Sequence, residues 1–381
     1  MPIRLGGLPG VEIVHYGGPG VLVWSRANVV TVDREGERRR FALPNPGWRA
    51  LASLSRLARR AARLDKCNVV PVFEDGTMAA LVAVRLGHVY RIDLASGEVR
   101  RTLTLRNCRN VLHQSICTTP RGYLYFGEYG TNPEYRPVPV YRSRDGGRSW
   151  EVAHIFPARS VRHVHGCFWD PYGRRLWVAT GDGVNEANLV SADEEFEDVR
   201  FYGDGSQDYR TIFPMFLEDA VVWGMDTDLA TPYLCRLDRA SGALEKLRRF
   251  PGPVWYGKEL LDGWRVLATA TEARAGTSDE RAHLYVSRDA LEWREVFVAD
   301  HDGLPKRLFK SGVISFADGP QTSEEFYLSA EALRGMDGCS FRCELTAVTR
   351  EGRHAPVGRL STVHVRGPQG STARRSRPSD G

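Results

Sequence analysis

The stretch Tyr141-Arg142-Ser143-Arg144-Asp145-Gly146-Gly147-Arg148-Ser149-Trp150 reads as a strand that runs into a tight turn and ends on a tryptophan. Serine and aspartate side chains bind turn amides, and glycine accepts a positive φ, so together they mark a hairpin. The phrase recurs. Tyr90-Arg91-Ile92-Asp93-Leu94-Ala95-Ser96-Gly97-Glu98-Val99 and Cys235-Arg236-Leu237-Asp238-Arg239-Ala240-Ser241-Gly242-Ala243-Leu244 are nearly the same text. Tyr285-Val286-Ser287-Arg288-Asp289-Ala290-Leu291-Glu292-Trp293 is a further copy, and Ser191 with Asp193 marks a weaker one. With Ile92, Ser143, Ser191, Leu237 and Ser287 taken as equivalent, the steps are 51, 48, 46 and 50 residues. That period fits one four-stranded propeller blade. Val30–Phe41 and Glu325–Leu345 offer one more strand pair at each end. The expected fold is all-β: a β-propeller of seven four-stranded blades, or six if the end pieces combine.

The surrounding sequence agrees. Alternating apolar runs such as Gly122–Gly127, Arg175–Thr180 and Ala220–Met225 read as strands between the hairpins. A chain of 381 residues with no evident central linker suits a repeat fold, and 38 glycines and 21 prolines suit many turns. No apolar run approaches the roughly 20 residues that cross a bilayer, and residues 1–10 have no apolar core of signal-peptide length. The seven cysteines are scattered and odd in number, which predicts reduced thiols and a cytoplasmic location.

The net charge of +5 is unevenly spread. Residues 366–381 carry +3 and residues 47–66 carry +5, which leaves the rest at −3. A mildly acidic body argues against nucleic acid as a partner. Residues 47–65 show a helical stripe of Trp48, Leu51, Leu54, Ala58, Ala61 and Leu64 among arginines. They predict one amphipathic helix inserted between the first and second blades, packed by its apolar stripe or laid against a membrane surface or protein partner. The propeller is expected over residues 1–366, and 367–381 as a disordered basic tail.

Ser143 to Trp150 matches S-x-D-x-G-x-x-W and resembles the Asp-box, or BNR repeat, of the sialidase-like propeller superfamily. Ser287-Arg288-Asp289 with Trp293 is a degenerate copy, and Ser191-Ala192-Asp193 with Phe196 a fainter one. The resemblance implies the architecture, since the Asp-box of that superfamily is a structural hairpin away from the pocket. The family's R-I-P type motif is absent: Arg38-Arg39-Arg40 precedes Phe41-Ala42-Leu43-Pro44, and no arginine triad can be mapped. More loosely, the chain is similar to BNR-repeat proteins of bacterial polysaccharide gene clusters.

In a propeller, the loops at one end of the central funnel form the usual site. Four successive second strands end on an acid: Glu128, Asp182, Asp226 and Glu272. First strands begin near His113, Arg162, His163, His165, Gln207 and Arg210. In a strand His163 and His165 share one side, where they could hold a divalent metal or act as a base. Two carboxylates can cleave a glycosidic bond, and a histidine beside arginines can abstract a proton next to a uronate. The expected function is a carbohydrate-active propeller, of glycoside hydrolase or polysaccharide lyase type, acting on an acidic oligo- or polysaccharide. His163, His165, Asp182 and Glu128 are its expected catalytic residues. Arg162, Gln207, Arg210, Asp226, Glu272 and His113 are expected to bind substrate. The alternative is a non-catalytic propeller that binds a glycan or protein partner in polysaccharide biosynthesis.

Overall fold

The computed structural model describes residues 2–346 except 46 and 273–275. The tail expected at 367–381, and the propeller end expected at 366, lie outside the described residues. Seven four-stranded antiparallel sheets follow one another along the chain. The third strands of the middle blades are His88–Asp93, Val138–Ser143, Ala187–Ala192, Tyr233–Asp238 and Arg281–Ser287. Each ends on the recurring turn, so the period read from the sequence is the blade period. Glu325–Leu345 differs from the other hairpins. Its strands Phe326–Glu331 and Cys339–Leu345 are second and third in blade 7, and the outer strand is Ile3–Leu8 from the other end of the chain. That strand pairs from Ile3↔Leu345 to Leu8↔Ser340 and closes the ring. Seven apolar clusters hold the protein together, each spanning two neighbouring blades. One joins Val23, Phe41, Leu81 and Ile92 of blades 1 and 2, and another joins Val14 and Trp24 of blade 1 to Ala317 beside blade 7. Both faces of each sheet are therefore buried, which blurs the strict alternation expected of a one-sided sheet.

The Asp-box works as a corner. Asp145 Oδ1 accepts from Ser149 N at 2.9 Å and from Ser143 Oγ at 2.8 Å, and Ser143 Oγ accepts from Gly147 N. Gly147 has φ +83°, and a Cβ there would meet Val82 of blade 2 at 2.4 Å. Trp150 Nε1 donates to Thr102 of blade 2. The motif thus clamps blade 3 onto blade 2. Asp93, Asp238 and Asp289 cap their turns in the same way.

Two features depart from expectation. The single helix over 47–65 is two short ones, α1 (Trp48–Ala52) and α2 (Arg56–Ala62), broken at Ser53–Ser55. Their orientation is inverted. Arg59 and Arg60 are buried, whereas Trp48, Leu51, Leu54 and Leu57 are exposed. Arg60 meets Asp302 at 2.6 Å and Asp337 at 3.2 Å; Arg56 meets Asp337 at 3.1 Å, Glu12 at 3.5 Å and Asp65 at 3.6 Å; Arg59 pairs with Glu12. Acids supplied by blades 1 and 7 and the preceding loops draw the arginines inward, and Trp48, Leu51 and Leu54 of the expected stripe are left outside while Leu64 at its end is buried. Leu54→Ser should therefore change the unfolding free energy by no more than about 0.5 kcal/mol. A stripe packed as the sequence suggested would lose several times that on chemical denaturation.

The second departure is the channel. The segment 111–116 crosses it. Val111 O accepts from Asn68 of blade 2, His113 Nε2 contacts Phe316 O of blade 7 at 2.8 Å, and Gln114 donates to Gly257 O of blade 6. Ser115 O accepts from Cys167 N of blade 4, and Leu112 packs with Ile212 ahead of blade 5. The open funnel of the sequence reading is plugged. Solvent still reaches one rim at Asp182, whose side chain is 30% exposed, and that rim is the mouth.

Candidate functional site

In each blade the start of the innermost strand pairs with the end of the second, as in His163↔Gly181, Val254↔Thr269 and Val313↔Glu331. Adjacent blades are stitched at this level, Val164 N to Glu128 O and Val254 N to Met225 O. The expected ring of acids is therefore at one rim, and Glu331 of blade 7 extends it to a fifth blade. The helical insert lies at the same rim beside blades 7 and 1, through Glu12 and Asp337.

The ring does not act as a unit. Glu128 is buried and accepts from Arg106 N at 2.8 Å, Asn107 N at 3.0 Å and Tyr141 OH at 3.0 Å. It caps the entry to the plug, so its expected catalytic role is not supported by its position. His113, expected to bind substrate, is inside the plug, packed on His15 and Tyr256. Gln207 bridges blades 4 and 5, donating to Asp182 O and Gly183 O and accepting from Thr227 Oγ1. Glu272 lies beside Ser311 Oγ at 3.4 Å and bears electrostatically on Asp226. Arg162 donates to Tyr135 OH at 2.8 Å and faces Glu186 at 4.0 Å.

His163, His165, Asp182, Arg210 and Asp226 do converge. A β-bulge between Val164 and Gly166 makes His165 the extra residue of its strand, and bulges re-aim side chains. Both rings then face one carboxylate. His165 Nε2 is 2.9 Å from Asp182 Oδ1 and His163 Nε2 is 3.3 Å from Oδ2. Gly181 makes room, since a Cβ there would meet the His165 ring at 2.6 Å. Arg210, just ahead of the innermost strand of blade 5, reaches Asp182 Oδ1 at 3.0 Å, Asp226 Oδ2 at 3.5 Å and Asp228 Oδ1 at 3.2 Å. Asp182 is the most accessible of the group, with 30% of its side chain exposed against 9% for Arg210 and 7% for Asp226.

Charge is unevenly held here. Burial opposes ionisation of Asp182, but the two histidines outweigh it and keep the carboxyl well below the usual range. Burial pushes His165 down, against the pull of Asp182. Asp226 goes the other way: burial raises it, Arg210 opposes, and the charges of Asp182, Glu272 and Asp228 add to the rise. Tyr129, its ring tilted against His163 at 4.3 Å, is raised by burial and by Asp182 and Asp226. Trp255 is also a bulge residue, skipped between Val254 and Tyr256, and its buried Nε1–H makes no hydrogen bond among the described residues. Lys66, at the start of blade 2 and half-buried, is pushed down to about 8 by burial and by Lys310.

Sequence reasoning missed Asp228, Glu331 and Lys66. Asp228 and Glu331 could have been found by extending the rule that second strands end on acids. Lys66 had no such signal, because only the turn of the chain out of α2 brings it to the rim.

The sequence matches no known family model and no curated protein. Solved structures are similar in fold. A chain of the "Crystal Structure of Mitotic Checkpoint Complex" aligns over 91% of this chain and 94% of its own length, with TM-score 0.53 and 11% identity. The structure "YCF48 bound to D1 peptide" aligns over 92% and 98%, at TM-score 0.51 and 11% identity. The extracellular domain of the putative one component system BT4673 from B. thetaiotaomicron aligns over 90% of this chain and 40% of its own, at TM-score 0.53 and 10% identity. At such identities the likeness shows the fold alone, and that fold is a seven-bladed β-propeller.

Proposed function

We propose that the chain is a carbohydrate-active propeller that acts on an acidic glycan at the mouth formed by blades 4 to 6. One observation carries the reading: two carboxylates, Asp182 and Asp226, share the Arg210 guanidinium. Those contacts hold them no more than about 9 Å apart, and carboxylate pairs that cleave a glycosidic bond stand about 5 to 9.5 Å apart. The surroundings suit a sugar. Tyr129 offers an aromatic face, and Trp255 an unused N–H for a hydroxyl. The Asp-box at Ser143–Trp150 supports a place among sialidase-like propellers. Arg162, with 36% of its side chain exposed, is a cation placed to meet a substrate carboxylate, since Arg210 is taken up by three acids.

The test is turnover on a panel of sialosides, oligouronides and neutral oligosaccharides. Wild-type protein should cleave at least one acidic member. Asp182→Asn and Asp226→Asn should each slow it at least about 100-fold with the fold intact by circular dichroism. Wild-type rates in both variants would sink the assignment, as would no cleavage across the panel. The exposed apolar edge of α1 and α2 favours a second reading, a non-catalytic propeller that docks a protein partner or membrane surface in polysaccharide biosynthesis. In that case a glycan or partner binds and nothing turns over.

A further inference from the structure

The two histidines of the mouth are fixed in one tautomer by the backbone. His163 Nδ1 lies 2.8 Å from Gly130 O, and His165 Nδ1 lies 2.8 Å from Thr211 O. A carbonyl oxygen only accepts, so each Nδ1 carries a proton and each ring turns its Nε2 towards the Asp182 carboxylate. Three potential ligand atoms therefore lie within 4.8 Å of one another. A bound cation, or protons on the rings, would complete the cluster. His163 Nε2, on a side chain 5% exposed, makes no hydrogen bond among the described residues and stands 3.3 Å from Asp182 Oδ2.

We infer that His163 Nε2, His165 Nε2 and the Asp182 carboxylate form a binding site for one divalent transition-metal ion of the zinc, manganese or iron class. Bonds of about 2.1 Å at tetrahedral angles put donor atoms about 3.4 Å apart. The nitrogens here stand 2.9 and 3.3 Å from the carboxylate oxygens, so small side-chain rotations suffice. Imidazole and carboxylate are the donors those metals share. The outer contacts are those of a metal centre: each ring N–H is anchored on a carbonyl, and Arg210 holds the carboxylate from behind. The surroundings favour a cation, because three carboxyl groups, Asp182, Asp226 and Asp228, face the one guanidinium of Arg210, and burial with that crowding keeps a proton on Asp226. Three protein ligands leave a position open towards the mouth, the pattern of a working rather than a purely structural site. The ion would supply the positive charge that Arg210 cannot spare for an acidic sugar. That role rests on the proposed function, while the site itself rests on the contacts alone.

Chelator-stripped protein titrated with Zn²⁺, and separately with Mn²⁺, should take up one equivalent of at least one of them by calorimetry and by elemental analysis after desalting. His163→Ala, His165→Ala and Asp182→Asn should each weaken binding at least about 10-fold. His283→Ala, a control that removes the ring between Asp279 and Glu295, should leave it unchanged. No saturable equivalent, or wild-type affinity in Asp182→Asn, overturns the site and leaves a proton-bridged cluster. Should the histidine variants fail to fold, Asp182→Asn decides alone, since it preserves shape. Metal bound without turnover on any glycan overturns the proposed function and keeps the site. Turnover with no saturable metal does the opposite.

Discussion

Removing residues 1–9 should cost the propeller its cooperative unfolding transition altogether. The strand Ile3–Leu8 is the fourth strand of blade 7, yet the chain continues from it directly into the innermost strand of blade 1. It is the covalent link that ties the last blade to the first. Without it, Cys339–Leu345 becomes an exposed edge whose ladder with Ile3–Leu8 is gone, and such an edge is a template for aggregation. The interface of blades 1 and 7 would then keep only the packing of Val14 and Trp24 on Ala317 and a few hydrogen bonds, chiefly Gly17 N to Asp318 O and Asp318 N to His15 O. Net stability of a domain is only about 5–15 kcal/mol, so losing ring closure consumes most of it. The expected result is soluble aggregate, or a broad non-cooperative melt by circular dichroism. A synthetic peptide of residues 1–10 added in trans should restore part of the sharp transition, because strand addition to an edge is a favourable docking mode. A truncated protein that melts as sharply as wild type, at the same temperature, would show that blade 7 does not need its fourth strand.

Asp170→Ala should be the most damaging single substitution outside the mouth, at about 3–5 kcal/mol of unfolding free energy. Asp170 is fully buried. Its carboxylate accepts from Arg239 through both oxygens, at 2.6 and 2.9 Å, from Trp177 Nε1 at 3.2 Å, and from the amides of Tyr172 and Gly173. Arg239 belongs to the Asp238–Gly242 turn of blade 5, so this one acid ties blade 4 to blade 5. Alanine would leave a guanidinium, an indole N–H and two turn amides unpaired, and an unpaired buried group costs more than the bond it lost. Chemical denaturation should show the midpoint falling with little change in slope. Asp170→Asn should lose less, as it keeps an acceptor for the turn. A loss in Asp170→Ala no larger than that of an average surface substitution would mean the clamp is dispensable.

How much of this was legible beforehand differs between scaffold and site. The blade period was readable because each turn is a local device. Asp93, Asp145, Asp238 and Asp289 bind amides only two to four residues away. Chemistry with so short a reach leaves the same signature in every repeat. The helix register was equally local, but the direction it faces was not. An apolar stripe normally turns inward, and here Glu12, Asp302 and Asp337, from distant parts of the chain, outweigh it by pairing with Arg56, Arg59 and Arg60.

The site divides in the same way. His163 and His165 were bound to share a side by strand periodicity, and the acids at the ends of second strands follow from the repeat. Which acid meets the histidines was decided by the bulge at His165 and by Arg210 reaching across from blade 5. Glu128 has the same sequence credentials as Asp182, but it was captured by the amides of Arg106 and Asn107 at the entry of the plug. His113 was lost to the plug itself. By itself, then, the sequence determined the propeller, its period, its turns and the residues brought to one rim, because those depend on neighbours along the chain. The tertiary structure alone decided that the channel is plugged, that the insert shows its apolar side to the outside, and that Asp182 is the carboxylate held between two histidines. Those outcomes depend on contacts between blades dozens to hundreds of residues apart, for which one sequence carries no local signal.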